Sequence, residues 1–204
     1  MSILANALST SGTRDPEPGS RVPSAPGVSP TELAILDFYR ASELHGGLLL
    51  GALAARVRDP ELMLALTRHG AEEVVHAQLW TETILAVGGR PQPVRDTYQR
   101  RLCREAGLPV SLVQVLALTQ VFERRVYRHF TEHLRRPGVH PLVAATLRRM
   151  LDEERGHLSW VKRWLDERAR RGDDVAATMR RFAAADARVY AAVTEELAWR
   201  RVAA

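Results

Sequence analysis

Two copies of a Glu-x-x-His pattern are the residues of this sequence best suited to chemistry. Glu73 and His76 lie three residues apart, and so do Glu154 and His157. Residues three apart share one face of a helix, so each pair can present a carboxylate and an imidazole to one point. Carboxylate oxygens and imidazole nitrogens together suit iron or manganese. The repeated pattern therefore predicts the two halves of a metal site.

A lone glutamate precedes each pair at nearly the same distance. Glu43 lies 30 residues before Glu73, and Glu123 lies 31 residues before Glu154. If each glutamate and its pair lie on antiparallel helices joined by a short turn, they meet at one level. Four buried carboxylates require compensating charge, which two divalent cations would supply. We therefore predict a dimetal centre formed by Glu43, Glu73, His76, Glu123, Glu154 and His157. The alternative interpretation places Glu43 and Glu123 on the surface and leaves two ordinary half-buried histidines.

Helix start and stop signals place these residues on long helices. Ser29-Pro30-Thr31-Glu32 combines an N-cap serine, a proline at the first helical position and the glutamate of a capping box. Asp59-Pro60-Glu61 repeats the start signal, and Gly88-Gly89 ends the second helix. The signals predict long helices over residues 30–58, 60–88, 109–136, 141–171 and 174–199, with one or two further helical turns inside residues 96–105.

The predicted elements define an all-α fold. No segment shows sustained two-residue alternation, so we expect no sheet. Two helix pairs with short loops are joined by a connection of about twenty residues, which is typical of a four-helix bundle with one long crossover connection. The fifth long helix, at about 174–199, carries Val175, Met179, Phe182, Val189, Val193 and Leu197 at helical spacing. We expect it to pack on the bundle or on a second subunit, which would make a homodimer.

Composition limits the domain organisation and the kinds of site. The chain has 204 residues, and residues 1–28 are rich in Ser, Pro, Gly and Thr. We therefore expect a disordered tail at 1–28 and one helical domain at 29–204. A single cysteine, Cys103, excludes an internal disulfide, a cysteine-type zinc site and a rubredoxin centre within this chain.

The charge and hydropathy of the sequence predict its surface and its cellular location. Lys162 is the only lysine among 29 basic residues, and the formal net charge is +5. We interpret the spread of arginines as a solvated surface, with nucleic-acid binding as the alternative. No apolar run is long enough to span a bilayer, and the first residues lack the features of a secretory signal. We expect a cytoplasmic protein without membrane contact.

The six predicted ligands resemble those of the ferritin-like superfamily of carboxylate-bridged dimetal proteins. The resemblance covers about residues 30–170, and each of the six ligand positions carries a suitable residue. It implies two iron ions, with manganese or a mixed manganese–iron pair as alternatives, and O2 as co-substrate. It further implies a di-iron oxidase or monooxygenase that takes electrons from an external donor and oxidises a small organic molecule.

Other branches of the superfamily imply other functions. A tRNA-hydroxylating enzyme, with tRNA as its partner, is the first alternative, followed by a ferroxidase or iron-storage protein and a dimanganese catalase. A non-catalytic helical binding protein is the alternative outside enzymes. Rubrerythrins are similar in this region but usually carry another glutamate where this chain has Val126, and they add a rubredoxin module.

Several residues near the predicted ligands need an interpretation of their own. Tyr39 lies four residues before Glu43, and Tyr127 lies four residues after Glu123. We expect both phenols on the ligand face, hydrogen-bonded to ligand carboxylates as structural support or as a proton or electron relay. His69, one turn before Glu73, is interpreted as a polar residue of the helix face, with support of the site as the alternative.

The neighbours of the motif residues carry weaker expectations. Glu72 and Glu153 are offset by about 100° from the motif glutamates and should point away. Gly46 and Gly47 either open space beside the metals or allow close helix packing. The same two interpretations apply to Gly156 on its own helix. The indoles expected to lie in the core are those of Trp80, Trp160 and Trp164.

Overall fold

The structure, a computed structural model, describes residues 27–199 as a set of six helices. The predicted tail at 1–28 lies outside the described residues except for its last two positions. No strand occurs within residues 27–199, as expected. The helices are α1 (Pro30–Ala54), α2 (Pro60–Ala86), α3 (Tyr98–Ala106), α4 (Leu112–Leu134), α5 (Pro141–Arg170) and α6 (Val175–Glu196).

The helices begin where their capping side chains predict. Ser29 Oγ accepts the N–H of Glu32 at 3.1 Å, and Asp59 Oδ1 accepts the N–H of Glu61 at 3.0 Å. The fourth helix begins at Leu112 rather than near Pro109, because Ser111 is its N-cap and accepts the N–H of Gln114. The first helix ends at Ala54 rather than near residue 58, since the turn that reverses the chain before Asp59 takes up the intervening residues.

The helices pack as the predicted bundle with an added helix. The most extensive contacts join α1 to α2 and α4 to α5, and α2 also packs on α5. Side chains contact each other across α2 and α5 in antiparallel order, from Glu72 with His157 to Thr83 with Thr146. The core between the helices contains the fully buried side chains of Leu36, Trp80, Phe130, Leu147 and Met150.

Helix α6 packs on its own bundle, against α4 and α3. Phe182, Val189 and Val193 are buried on this face. Near the middle of the helix, the buried Asp186 accepts hydrogen bonds from Arg125 of α4 and Tyr98 of α3. None of the helices within residues 27–199 combines the length and apolarity needed to cross a membrane.

Two glycines allow α1 and α2 to approach closely. A Cβ atom at Gly47 would lie 2.7 Å from Val74 Cγ2 and 2.8 Å from the carbonyl oxygen of Gly70, too close for either contact. A Cβ atom at Gly70 would lie 3.1 Å from the carbonyl oxygen of Gly47. At Gly47 the structure therefore supports the close-packing interpretation rather than a substrate space.

We expect Gly47→Ala to destabilise the protein by about 1–3 kcal/mol, because the added methyl group must push two backbones apart. Gly51→Ala is the matched control on the same helix, since nothing lies within 4 Å of a Cβ atom there. The control should be neutral or stabilising by up to ~1 kcal/mol, from helix propensity alone. Urea unfolding measures both free energies, and equal effects at the two positions would contradict the close-contact explanation.

Candidate metal centre

All six predicted ligands lie in the interior of the bundle. The carboxylates of Glu43, Glu73, Glu123 and Glu154 come from α1, α2, α4 and α5, and none of these residues is more than 2 % exposed. His76 and His157 are equally buried. The alternative interpretation, with surface glutamates and half-buried histidines, is therefore wrong. Each of these residues lies on the face of its helix that is turned towards the other helices.

The buried ligands form two overlapping groups. In each group, one ligand atom per residue lies within 4.8 Å of the others. Glu73 belongs to both groups, so its carboxylate is the ligand that the two groups share. The first group is Glu43, Glu73, His76 and Glu154, and the second is His69, Glu73, Glu123 and His157. The geometry of this buried cluster is compatible with a dimetal site.

The cluster contains buried polar atoms that the described residues leave without a hydrogen bond. They are Glu43 Oε2, Glu73 Oε2, Glu123 Oε2, both oxygens of Glu154, and the Nδ1 atoms of His69, His76 and His157. Each buried polar atom without a partner costs about 1–3 kcal/mol. Cations between the two groups would coordinate most of these atoms at once. The residues present therefore fit a pair of divalent ions.

The pKa values show how strongly the site favours positive charge. Burial and the neighbouring carboxylates, Glu73 first among them, hold the pKa of Glu43 well above its usual range. Burial and Glu123 do the same to the pKa of Glu154. Burial opposes ionisation of Glu73 as well, but the imidazoles of His157 and His69 outweigh it and lower its pKa.

The pKa values of two imidazoles are raised by the neighbouring carboxylates. Burial alone would lower the pKa of His157, but the carboxylates of Glu154 and Glu73 outweigh it and raise the pKa to about 12. The pKa of His69 is raised in the same way, by Glu123 and Glu73. Without metal, protons therefore supply the positive charge that the four carboxylates demand, and cations would displace them.

Two outer carboxylates orient the motif imidazoles. His76 Nε2 donates to Glu153 Oε2 at 2.8 Å, and His157 Nε2 donates to Glu72 Oε2 at 2.8 Å. The two contacts are reciprocal, because each helix supplies the carboxylate that holds the imidazole of the other. With the proton on Nε2, the lone pair of Nδ1 is directed to the metal groups. Glu72 and Glu153 do point away from the two ligand groups, as expected, but they contact the Nε2 atoms of the motif imidazoles.

We expect Glu72→Ala to weaken divalent-metal affinity by about 10–100-fold, because His157 loses the partner that fixes its tautomer and orientation. Glu82→Ala, which removes an exposed carboxylate from the same helix, is the matched control and should bind metal as the unmodified protein does. Competition with a chromophoric chelator measures both affinities. An unchanged affinity in Glu72→Ala would show that the contact does not orient the ligand.

His69 is the site residue that the sequence interpretation placed wrongly. Its side chain is 1 % exposed, and Nε2 lies 3.0 Å from Glu73 Oε1 and 3.5 Å from Glu123 Oε1. Its ring stacks on His157 with 3.8 Å between centroids. His69 is thus a seventh candidate ligand rather than a polar residue of the helix face. Its spacing of four residues before Glu73 was the available signal, since it places both on one stripe.

The tyrosines do not hydrogen-bond the ligand carboxylates, so that expectation is wrong. Tyr39 is buried, and its hydroxyl forms a hydrogen bond with His133 Nδ1 at 3.1 Å. Tyr127 is half-buried, and its hydroxyl accepts a hydrogen bond from Arg155 Nε at 3.4 Å. In both cases a side chain from another helix takes the place of the carboxylate. A relay role for either tyrosine stays a prediction.

The remaining expectations near the site have mixed outcomes. Trp80 is fully buried in the core, as predicted, and Trp160 packs edge-on against His69. Gly156 is exposed with nothing within 4 Å of a Cβ atom, so it does not open space beside the metals. A Cβ atom at Gly46 would lie 3.4 Å from Glu73 Oε2, so this glycine does leave room beside a ligand.

Comparison with known proteins gives no match: no family model, no curated protein sequence and no solved structure is similar to this chain. The class of the protein therefore has to be inferred from its fold and its site alone. They describe an all-helical bundle with two overlapping groups of buried glutamates and histidines that could hold metal ions.

Proposed function

We propose that this chain is a ferritin-like dimetal enzyme that uses O2 to oxidise a small organic molecule. The observation that carries the proposal is the presence of Glu73 in both ligand groups, which allows one carboxylate to bridge two ions. Two iron ions are the proposed cofactor, and a manganese or mixed pair is the alternative. When bound, the ion pair would supply the redox chemistry that reduces O2.

The protein's own residues supply position and charge. Glu43, Glu123 and Glu154 bring three carboxylates to the pair from separate helices, beside the shared Glu73. Glu72 and Glu153 hold the imidazoles in the orientation that leaves Nδ1 free. The fully buried Trp80 and Leu147 help to exclude water from the bundle interior. Such a site keeps reacting groups apart from bulk solvent, as oxidation chemistry requires.

An external electron donor and a small-molecule substrate complete the proposal. Helix α6 supports an enzyme over a storage shell, because it packs along its own bundle and forms one wall of a cavity that Glu43 also lines. A catalytic cavity needs such a wall, whereas storage of iron as mineral does not.

The experiment that tests the proposal loads the metal-free protein with ferrous iron in the absence of O2. Elemental analysis after gel filtration should give about two iron ions per chain. Exposure to O2 should then oxidise the bound iron and consume O2, and Glu73→Ala, which removes the carboxylate common to both ligand groups, should lose both metal binding and O2 consumption. Manganese loading, assayed for peroxide disproportionation, tests the dimanganese alternative.

The other outcomes identify the alternatives. Metal-free protein that unfolds at the same urea concentration with and without added iron would overturn the dimetal proposal and favour a binding protein. Uptake of iron far beyond two ions per chain would favour storage. RNA binding that weakens with salt would favour the tRNA-hydroxylating alternative.

A further inference from the structure

An apolar cavity of about 50 Å³ lies between α1, α4 and α6, beside the candidate metal centre. The surface of its walls is overwhelmingly apolar, and aromatic rings form much of it. Helix α6 forms the third wall, and the cavity stays partly open to solvent. The residues that matter for the argument are Phe38, Ser42 and Glu43 on α1, Phe122 and Val126 on α4, and Val193 on α6.

Glu43 connects this cavity to the metal centre. It lines the cavity and belongs to the first ligand group. Clefts of about 690 and 650 Å³ elsewhere on the surface are larger, but neither is lined by a candidate ligand. A molecule in the small cavity would therefore contact a metal-ligating carboxylate, whereas one in either larger cleft would not.

Apart from Glu43, the charged and phenolic groups around the cavity are already paired. Arg125 donates to Asp186 from both Nε and an Nη atom, and Tyr98 donates to the other oxygen of the same carboxylate at 2.6 Å. Tyr190 forms a hydrogen bond with His129 Nδ1 at 2.9 Å. Burial lowers the pKa of His129 to about 3, so its imidazole is neutral. The walls thus offer no free cation to hold an anionic molecule.

Ser42 is the exception among the uncharged polar groups of the walls. It lines the cavity next to Glu43 in the chain, it is 4 % exposed, and its Oγ has no hydrogen-bond partner among the described residues. A buried hydroxyl without a partner is uncommon, because leaving it unpaired has a free-energy cost. An apolar cavity with a single free hydroxyl selects an uncharged molecule with one polar group.

We propose that this cavity binds the substrate, and that it takes a short, uncharged aliphatic group whose single polar atom hydrogen-bonds with Ser42 Oγ beside Glu43. The inference rests on the proposed function for its chemical purpose. The size follows from the volume, because about 10–15 Å³ of such space holds one water molecule. A volume of about 50 Å³ therefore holds roughly four atoms of that size.

The test uses 2-fluoroethanol, which has four non-hydrogen atoms, as the uncharged probe and fluoroacetate as its anionic match, both followed by fluorine NMR. In protein without added metal, the alcohol should bind saturably, and the carboxylate should bind at least ~10-fold more weakly, because no cation of the cavity walls is free to pair with its charge. In manganese-loaded protein, fluorine relaxation of the bound alcohol should increase strongly, since the cavity borders the metals. Equal binding of alcohol and carboxylate, or no relaxation increase, overturns the proposal.

Two variants connect the binding to this cavity. Val193→Phe fills it from α6 and should abolish alcohol binding, whereas Ala192→Phe, at the exposed neighbouring position, should leave it unchanged. Ser42→Ala keeps the volume and removes the hydroxyl, so alcohol affinity should fall by about 3–10-fold. Metal content should be unchanged in all three. Alcohol binding that survives both Val193→Phe and Ser42→Ala places the probe elsewhere and overturns the proposal.

Failure of this inference and failure of the proposed function give different results. Protein that binds two metal ions but not the alcohol overturns the cavity as a substrate site and leaves the dimetal proposal standing. Protein that takes up no metal overturns the proposed function. In that case, alcohol binding that Val193→Phe abolishes still supports the cavity as a site for an uncharged aliphatic group.

Discussion

Glu73→Gln should reduce the metal content from about two ions per chain to nearly none, the largest effect of any single ligand substitution. Glu73 is the one carboxylate present in both ligand groups. Glutamine keeps the shape of the side chain but removes the charge and one metal-binding oxygen. Both ions would then lose a ligand, and three carboxylates would remain to neutralise them. We expect the affinity at each position to fall by more than ~100-fold, beyond the effect of an outer carboxylate.

Elemental analysis after gel filtration measures the content, and two sets of variants serve as controls. Glu72→Gln alters the adjacent residue, which contacts only the far side of His157, and should retain both ions at reduced affinity. Glu43→Gln and Glu123→Gln each alter a residue of one group and should weaken one ion more than the other. One tightly bound ion per chain in Glu73→Gln would contradict a shared ligand and indicate two independent sites.

Asp186→Ala should destabilise the protein by about 3 kcal/mol, the largest expected effect outside the metal centre. The buried carboxylate accepts from Arg125 of α4 at 3.0 Å and from Tyr98 of α3 at 2.6 Å. Removing it leaves a partly buried guanidinium and a buried phenol without their partner. The value lies at the lower end of the range for broken buried ion pairs, because Arg125 keeps some contact with solvent.

The free energy of unfolding in urea measures the effect. Glu195→Ala removes an exposed carboxylate from the same helix and should change stability by less than ~0.5 kcal/mol. The loss of stability in Asp186→Asn should lie between those of Asp186→Ala and Glu195→Ala, since asparagine keeps a hydrogen-bond acceptor and loses the charge. A loss below ~1 kcal/mol in Asp186→Ala would show that apolar packing alone holds α6 against α3 and α4.

The sequence could predict the six candidate ligands because the spacings that identify them lie within single helices or helix pairs joined by short turns. Helical period places Glu73 with His76, and Glu154 with His157, on one face each, whatever surrounds them. Short turns after α1 and α4 force antiparallel pairs, so equal distances from the turn bring Glu43 opposite Glu73. The same reasoning placed the helix starts, because Ser29 and Asp59 act through backbone groups only two or three residues away.

What the sequence by itself determined is thus the all-helical bundle and the set of glutamates and histidines at its centre. Only the tertiary structure decided which side chains meet between helices that are distant in the chain. The contacts of Glu72 with His157, of Tyr39 with His133 and of Asp186 with Arg125 join residues more than sixty positions apart. They depend on how far each helix is rotated and shifted against its neighbours, and packing of the whole core sets those quantities. The burial of His69 and the free hydroxyl of Ser42 have the same origin, because the partners of a buried group are known only once every neighbouring helix is in place.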